Sequence, residues 1–453
     1  WHTTRVDGHD PEAVAAAIEA ARDETGRPSL IACRTVIGYG APNKQGTADT
    51  HGAPLGDDEI AAARAELGWN HPPFEVPEHI LSAWREAGAR GRAAFQAWEE
   101  AASRLGAQER ARLHDPIDAA AREDIAAVIR KVKADFSESG EKLASRKSSQ
   151  QVIEALAPAV PALIGGSADL TGSNGTMTKQ HRDVSAEDFG GNYIHYGVRE
   201  HGMAAAMNGM ALHGGLVPYG GTFLVFTDYC RPSIRLSALM GQRVIYVMTH
   251  DSIGLGEDGP THQPIEHLAA LRAMPNLNVY RPADSVECAE VWELALNSAD
   301  TPSILALTRQ GLPLLRGDHD DANRSARGAY LMREPEGGRD VSLLATGSEV
   351  GLAVEAAELL ARDGIRAAVV SMPCWELFRA QPHEYCESVL GAAPRVGVEA
   401  AAALGWHEWI GPNGRFVGMD SFGASAPAGE LFKHFGITAQ RVAEEARAAI
   451  AQG

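Results

Sequence analysis

The hydrophobic rhythm of the chain changes three times within residues 192–268. Met203, Ala206, Met207 and Met210 recur at three- and four-residue spacing. That spacing predicts one apolar helix face, with Glu200 in the first turn as a carboxylate close to burial. Phe223, Phe226 and Tyr229 follow at three-residue intervals, which predicts three rings along one side of a helix. Residues 243–249 then read as a strand. It delivers His250, Asp251, Glu257, Asp258 and His262 onto a loop punctuated by Gly254, Gly256, Gly259 and Pro260. An open α/β sheet binds its ligands at strand carboxyl ends, so this stretch is the candidate site.

The flanking segments alternate in the same way. Residues 2–6 predict the tail of a strand, and Asp10 and Pro11 predict the cap and first position of a helix over 12–24. Residues 29–37 predict a buried strand. The polar, Gly-rich run GTADTHGAPLGDDE that comes after it is too elaborate for a simple connection. On the residues alone, its His51 is more readily a turn histidine than a functional one. From Pro72 to about Ser139 the composition shifts to Ala, Glu and Arg at helical spacing, predicting a helical connector interrupted at Pro116.

A helix is expected after Ser148, then a short strand ending at Ile164 and a loop with Asp169, Ser173 and Asn174. Arg146 and Lys147 stand where that helix begins, which the helix dipole disfavours unless an anion shares the spot. Arg309 stands at the carboxyl end of a strand over 303–308, well placed for a phosphate fork. A polar hinge over 317–327 leads to a third unit, read as parallel α/β, with a final helix capped by Thr438. Gly347 and Ser348 there could form an anion nest, but the neighbouring Glu349 would repel an anion, which favours a structural or regulatory role.

Composition narrows the function classes. The chain has 453 residues, 45% apolar and 22% charged, which is ordinary globular composition with room for two or three domains. Its net charge of −18 argues against nucleic acid and against an anionic membrane surface as partners. Any phosphate would have to be bound by local Arg and His clusters. Cys33, Cys230, Cys288, Cys374 and Cys386 form no CxxC pair and read as reduced thiols of a cytoplasmic protein. No run has the length of a membrane span.

The loop chemistry leaves alternatives open. GLGEDG over 254–259 formally matches GxGxxG after a strand. However, Pro260 breaks the helix that should open there, and acids in the loop would repel a pyrophosphate. A metal site of His250, Asp258 and His262 lacks the helical spacing of a compact centre. Substrate hydrogen bonding and structural loop bonding remain evenly matched.

In their order and spacing, the strings DTHGAPLG, ASRKSSQ, GGSADLTGSN, NYIHYGVREHGMAAAMNG, YGGTFLVF, THDSIGLGEDGPTHQP and ATGSEV resemble transketolase. The resemblance covers the whole chain and corresponds to roughly the last two thirds of the family's length. It implies three parallel-sheet α/β domains, the first only partly present. These would be residues 1–112, the end of the diphosphate-binding domain with a helical connector; 113–326, a pyrimidine-binding domain; and 327–453, the carboxyl-terminal domain. It also implies a homodimer with the active site between subunits, and sugar phosphates as substrates.

Carried over residue by residue, the resemblance makes Glu200 the carboxyl that hydrogen-bonds the aminopyrimidine of thiamine diphosphate. A raised pKa in an apolar pocket would let it share a proton there and so promote the ylid that attacks a ketose carbonyl. Phe223, Phe226 and Tyr229 become the pyrimidine pocket, with Phe226 stacking, and Asp169 and Leu170 line the cofactor. His51 lies near both cofactor and sugar. His262 and Asp258 bond donor hydroxyls, and Arg146, Ser173, His250 and Arg309 gather the sugar phosphate. Glu200, His51 and His262 are the catalytic candidates. His195, His201, His213 and His267 are left as structural.

The family's metal motif, Gly-Asp-Gly with a later Asn, would lie before Trp1. No residue of this chain is therefore assigned to the expected Mg²⁺ or Ca²⁺. The chain is expected to be a fragment of a longer polypeptide rather than one of two separate chains. The implied activity is transfer of a two-carbon ketol unit from xylulose 5-phosphate to ribose 5-phosphate or erythrose 4-phosphate in the pentose phosphate pathway. Dihydroxyacetone synthase or a non-catalytic paralogue are the alternatives.

Overall fold

The computed structural model describes residues 1–318 and 320–452 and divides into two compact units, Trp1–Arg104 and Leu105–Gly453. In the first unit, strands His2–Asp7 and Ser29–Arg34 pair in parallel, from His2 opposite Ser29 to Asp7 opposite Arg34. The helix Pro11–Asp23 makes the crossover. Asp10 caps it as expected, its carboxylate accepting from the backbone N–H of Glu12 and Ala13 at 3.0 and 3.1 Å. The second strand is not buried: its side chains are half-buried or exposed. Within this unit the crossover helix covers only one face of a two-stranded ribbon. His51 is exposed and closes a short 3₁₀ turn, Ala48–Thr50.

The helical connector breaks more often than Pro116 alone predicts. It forms Glu78–Ala89, Arg92–Ser103, Ala107–Arg112 and Ala119–Ser139, with Gly91 and Gly106 at the two extra joints. Glycine's backbone freedom makes it a poor helix interior, so the stretch separates at those positions.

Beside the short antiparallel pair Leu143–Ala144 and Gly311–Leu312, the second unit holds two larger sheets. The first is six-stranded and wholly parallel, in the order Tyr193–His195, Leu163–Ser167, Val217–Phe223, Ile245–Thr249, Ser303–Leu307 and Asn278–Tyr280. The second runs Tyr330–Arg333, Ala367–Ser371, Val341–Ala345, Arg395–Ala402 and Arg415–Met419. Its first strand is antiparallel, an edge that the expectation of a purely parallel unit missed. Among the described residues no helix is long and apolar enough to cross a membrane.

Several expected boundaries move for local reasons. The helix after Ser148 in fact spans Ser145–Ala159, so Arg146 and Lys147 lie inside its first turn. The strand expected to end at Ile164 continues to Ser167. Its two glycines lie against aromatic rings: a Cβ on Gly165 would sit 2.3 Å from the Tyr219 ring, and one on Gly166 would sit 2.3 Å from Tyr196. The hinge expected over 317–327 is tied down. The buried Glu290 carboxylate pairs with Arg316 and Lys133 and accepts from the Ser325 hydroxyl. His319, within that stretch, lies outside the described residues.

Trp292 fixes the first sheet's core. It is fully buried, packs edge-on to Tyr219 and donates from Nε1 to Ser149 Oγ at 2.8 Å. Trp292→Ala is expected to lower unfolding stability by about 3–5 kcal/mol, because it opens a large cavity and removes that hydrogen bond. Urea denaturation of the two proteins measures the difference.

Candidate active site

The three aromatic positions do come together, though not on one helix. Phe223 is the last residue of the fully buried strand Val217–Phe223, Phe226 ends a 3₁₀ turn, and Tyr229 lies in the helix Thr227–Leu239. A 3₁₀ turn stacks side chains three apart, which preserves the predicted spacing across the strand end. Phe223 and Phe226 are nearly parallel, 12° apart with centroids at 5.6 Å, and Phe226 and Tyr229 are 5.8 Å apart. Tyr229 is 64% exposed, so the row runs from the core to the surface.

His250 lies on the inner end of this row, its ring 3.8 Å from Phe223 in a stacked arrangement. His262 meets Phe226 edge-on at 5.5 Å. The backbone of His250 is left-handed, with φ of 61°, an unfavourable conformation for a residue bearing a Cβ. A chain of hydrogen bonds reaches its ring. Ser167 Oγ donates to Asn174 Oδ1 at 2.9 Å, Asn174 Nδ2 donates to Thr249 Oγ1 at 2.7 Å, and the Thr249 hydroxyl lies 2.9 Å from His250 Nδ1. The Thr249 hydroxyl can give its proton to Nδ1, and Nε2 then keeps the ring's own N–H. Burial, reinforced by Arg146, Arg309 and His262, pushes the His250 pKa down to about 3. The ring is therefore a neutral donor.

The helix start and strand end that carry the two arginines are bonded to each other. Ser145 N–H donates to Thr308 Oγ1 at 3.0 Å, and Thr308 N–H donates to Ser145 Oγ at 2.7 Å. Arg146 reaches the Ser173 carbonyl at 2.5 Å, and Arg309 reaches the Leu255 carbonyl at 3.0 Å. Among the described residues neither guanidinium has a carboxylate partner, and Arg146 Nε is buried without any hydrogen bond. Burial and the neighbouring Arg309 both lower the Arg146 pKa. Two cations that repel each other beside a neutral imidazole form a cluster whose charge an anion would offset.

Glu200 is the first residue of the helix Glu200–His213 and is half-buried rather than nearly buried. The face it shares is also rotated. Met203, Ala204, Met207 and Asn208 are buried, while Ala206 is exposed and Met210 half-buried. The Glu200 carboxylate has no hydrogen bond or ion pair among the described residues and lies close enough to Cys230, on the aromatic helix, to raise that thiol beyond what burial does. Asp169, exposed and left-handed at φ 60°, follows the strand Leu163–Ser167; Leu170 N–H donates to Ser167 Oγ at 3.1 Å. Asp258 is exposed on the glycine-rich loop. His51 belongs to the other unit.

Among the described residues His250, Asp258 and His262 do not form a three-ligand metal cluster. The grouping that does occur is Asp228, Glu266 and His267. There the buried His267 lies 3.2 Å from Asp228 and 3.8 Å from Glu266, an ion pair that sequence reasoning did not foresee for a residue left as structural. Also missed was Arg281, a fully buried guanidinium under the site loop. Its partners are distant in sequence, so no local pattern marks it.

Three family models match in succession: the thiamine diphosphate binding domain of transketolase over residues 1–122, its pyrimidine binding domain over 141–313, and the transketolase-like C-terminal domain over 328–438. The chain belongs to the transketolase family. It is 60% identical to the transketolase of Cereibacter sphaeroides over 447 residues, 99% of this chain and 67% of that protein. The transketolase of Leishmania mexicana superposes with a TM-score of 0.83 at 41% identity, covering 100% of this chain and 66% of that one. A Pichia stipitis transketolase in complex with sedoheptulose 7-phosphate gives 0.83 at 38%, covering 100% and 67%. The chain thus spans about two thirds of the length of these transketolases.

The histidine geometry makes a pH prediction. Unfolded, the His250 imidazole takes a proton near 6.5; folded, only near 3. The stability it contributes is therefore complete above pH 6.5 and falls as pH drops toward 3. Nitrogen-15 NMR of the histidine-labelled protein should show His250 as the neutral Nε2–H tautomer throughout pH 5–8. A titration inside that range would contradict the assigned network.

Proposed function

We propose that this chain carries the cofactor's pyrimidine pocket and the substrate site of a transketolase, which moves a two-carbon ketol group from a ketose phosphate such as xylulose 5-phosphate to an aldose phosphate. The observation that carries this reading is the pair of arginines without carboxylate partners, Arg146 and Arg309, flanking the neutral Nε2–H of His250. In a protein of net charge −18, such a cluster fits the phosphate end of a sugar, with Ser173 adding a hydroxyl.

The aromatic row and Glu200 fit thiamine diphosphate. Phe226 and Tyr229 present ring faces that are not fully buried, and the Glu200 carboxylate is free to bond a ring nitrogen. When bound, the cofactor supplies a nucleophilic carbon and an electron sink for cleaving the bond next to a ketose carbonyl. Glu200 holds the pyrimidine and exchanges a proton with its ring nitrogen. Phe226 stacks on that ring, Phe223 and Tyr229 exclude water around it, and Asp169 and Leu170 line its edge. His262 and His51 donate to the carbonyl and hydroxyl oxygens of the sugar, while Asp258 accepts from a hydroxyl and selects its stereochemistry.

We assign the modules to residues 1–112, 113–326 and 327–453, and Mg²⁺ or Ca²⁺ as the ion that tethers the diphosphate. A cytoplasmic setting is supported by five free cysteines. A homodimer with the site at the subunit interface is supported by the exposed Tyr229, Leu236 and Leu239 on one helix, with exposed Met240 at its carboxyl cap.

Ketol transfer from xylulose 5-phosphate to ribose 5-phosphate, with thiamine diphosphate and Mg²⁺ supplied, tests the roles. Glu200→Ala should reduce turnover by about 10²–10⁴-fold. Arg309→Leu should raise the substrate KM by roughly 10–100-fold, as expected for loss of charge-assisted hydrogen bonds, with little change in kcat. Wild-type turnover in Glu200→Ala would refute the cofactor assignment.

A further inference from the structure

Asp251, the residue after His250, turns inward. It is 1% exposed, and its Oδ2 accepts from Arg281 Nε at 2.9 Å. Arg281 follows the edge strand Asn278–Tyr280 and is fully buried. From there its Nη1 crosses to the second sheet. It donates to the Thr346 carbonyl and hydroxyl at 3.1 and 3.0 Å and to the Glu349 carboxylate. Glu349 Oε2 also accepts from Ala400 N–H at 3.0 Å, on the strand Arg395–Ala402.

The circuit returns to the other end of the site loop. Thr346 Oγ1 donates to Glu399, and Glu399 receives both arms of Arg272 at 2.8 Å. Arg272 ends the helix His267–Arg272, which follows the loop carrying His262. Burial alone would raise Glu399; the Arg272 and Arg281 guanidinium groups override it and hold the acid down to about 2. Gly347 makes the crossing sterically feasible: at φ 52°, a Cβ there would lie 2.7 Å from Arg281 Cγ.

The loop between these anchors is attached to the second sheet throughout. Ile253 and Ile265 are buried in that sheet's core. Gln263 Nε2 donates to the Ala424 carbonyl at 2.9 Å, and the Ser425 hydroxyl donates to the Glu257 carbonyl at 2.6 Å. His250 thus holds a left-handed backbone immediately before a residue clamped from the carboxyl-terminal sheet. A strained backbone persists only where its surroundings over-determine it, and Arg281 holds the residue next to this one.

We infer that Arg281 is a positioning residue, through which the carboxyl-terminal sheet, using Thr346 and Glu349, fixes His250 and so sets affinity for the phosphate end of the substrate. This rests on the assignment of His250 to that phosphate. It gives the carboxyl-terminal module a part in substrate binding although none of the proposed site residues belongs to it.

Two measurements on Glu349→Gln and Arg281→Lys test the inference. Both keep side-chain volume close to the original, and circular dichroism verifies that each is folded. The first measurement is nitrogen-15 NMR of the His250 imidazole without substrate. The second is calorimetric binding of xylulose 5-phosphate to wild type, to both variants and to His250→Ala. The expected result is displaced or broadened His250 resonances and binding weakened at least about fivefold in both variants. A merely structural role would lower the melting temperature and leave the His250 signals where they are, which overturns the inference. If His250→Ala binds as wild type does, or if wild type does not bind, the phosphate assignment itself has failed. If His250→Ala weakens binding while Glu349→Gln and Arg281→Lys do not, the assignment stands and the role of Arg281 is refuted.

Discussion

All six strands of the first sheet run the same way, and most of the site's chemistry follows from that constraint. Parallel strands direct their carboxyl ends to one edge, so loops far apart in sequence emerge side by side. Asp169 follows the strand Leu163–Ser167, Phe223 ends Val217–Phe223, His250 follows Ile245–Thr249 and Arg309 follows Ser303–Leu307. Between Asp169 and Arg309, every contributing segment is delivered by one topological rule. What the sheet does not supply is orientation, and that comes from buried hydrogen bonds between loops. Ser145 and Thr308 lock the two arginine-bearing segments together, and Asn174 and Thr249 carry a line of hydrogen bonds to the His250 imidazole.

The arginines of this acidic chain fall into two physical classes. Arg281, Arg272 and Arg316 are buried against carboxylates: Asp251 and Glu349, Glu399, and Glu290. A guanidinium taken out of water without such partners would be strongly destabilising, so each of these pairs specifies how one segment docks on another more than it adds stability. Arg146 and Arg309 are different. They face each other's charge with carbonyl partners only, one of them in the first turn of a helix whose dipole also disfavours it. Fixed cations arranged against their own electrostatic interest are poised to bind an anion.

The places of the candidate residues on the fold were easier to read from the sequence than the element boundaries. His250, His262, Arg309 and the aromatic triplet were legible because each sits at a strand end or in a motif long enough to be specific. The helix drawn through Phe223, Phe226 and Tyr229 was wrong because a 3₁₀ turn shares the three-residue spacing of a helix face, and periodicity alone cannot separate them. The strand cut short at Ile164 failed for a tertiary reason. Two glycines look like a turn until Tyr219 and Tyr196 are known to lie against them. Burial of the strand Ser29–Arg34 was inferred from its apolar content, yet burial depends on what covers a strand, which composition does not record.

Least legible were the contacts that hold the loop from the far side. Asp251 and Arg281 are 30 residues apart, Arg281 and Glu349 are 68 apart, and Thr346 and Glu399 are 53 apart. No helical or strand period links such positions, and nothing in the sequence around Arg281, Glu349 or Glu399 marks them as buried partners. Glu349 shows the point most clearly. Its charge argued against an anion nest at Gly347 and Ser348, and the structure gives that charge a cation instead, in Arg281. The same carboxylate that argues against an anion in the second sheet tethers, through Arg281, the loop that carries His250 beside Arg146 and Arg309 in the first.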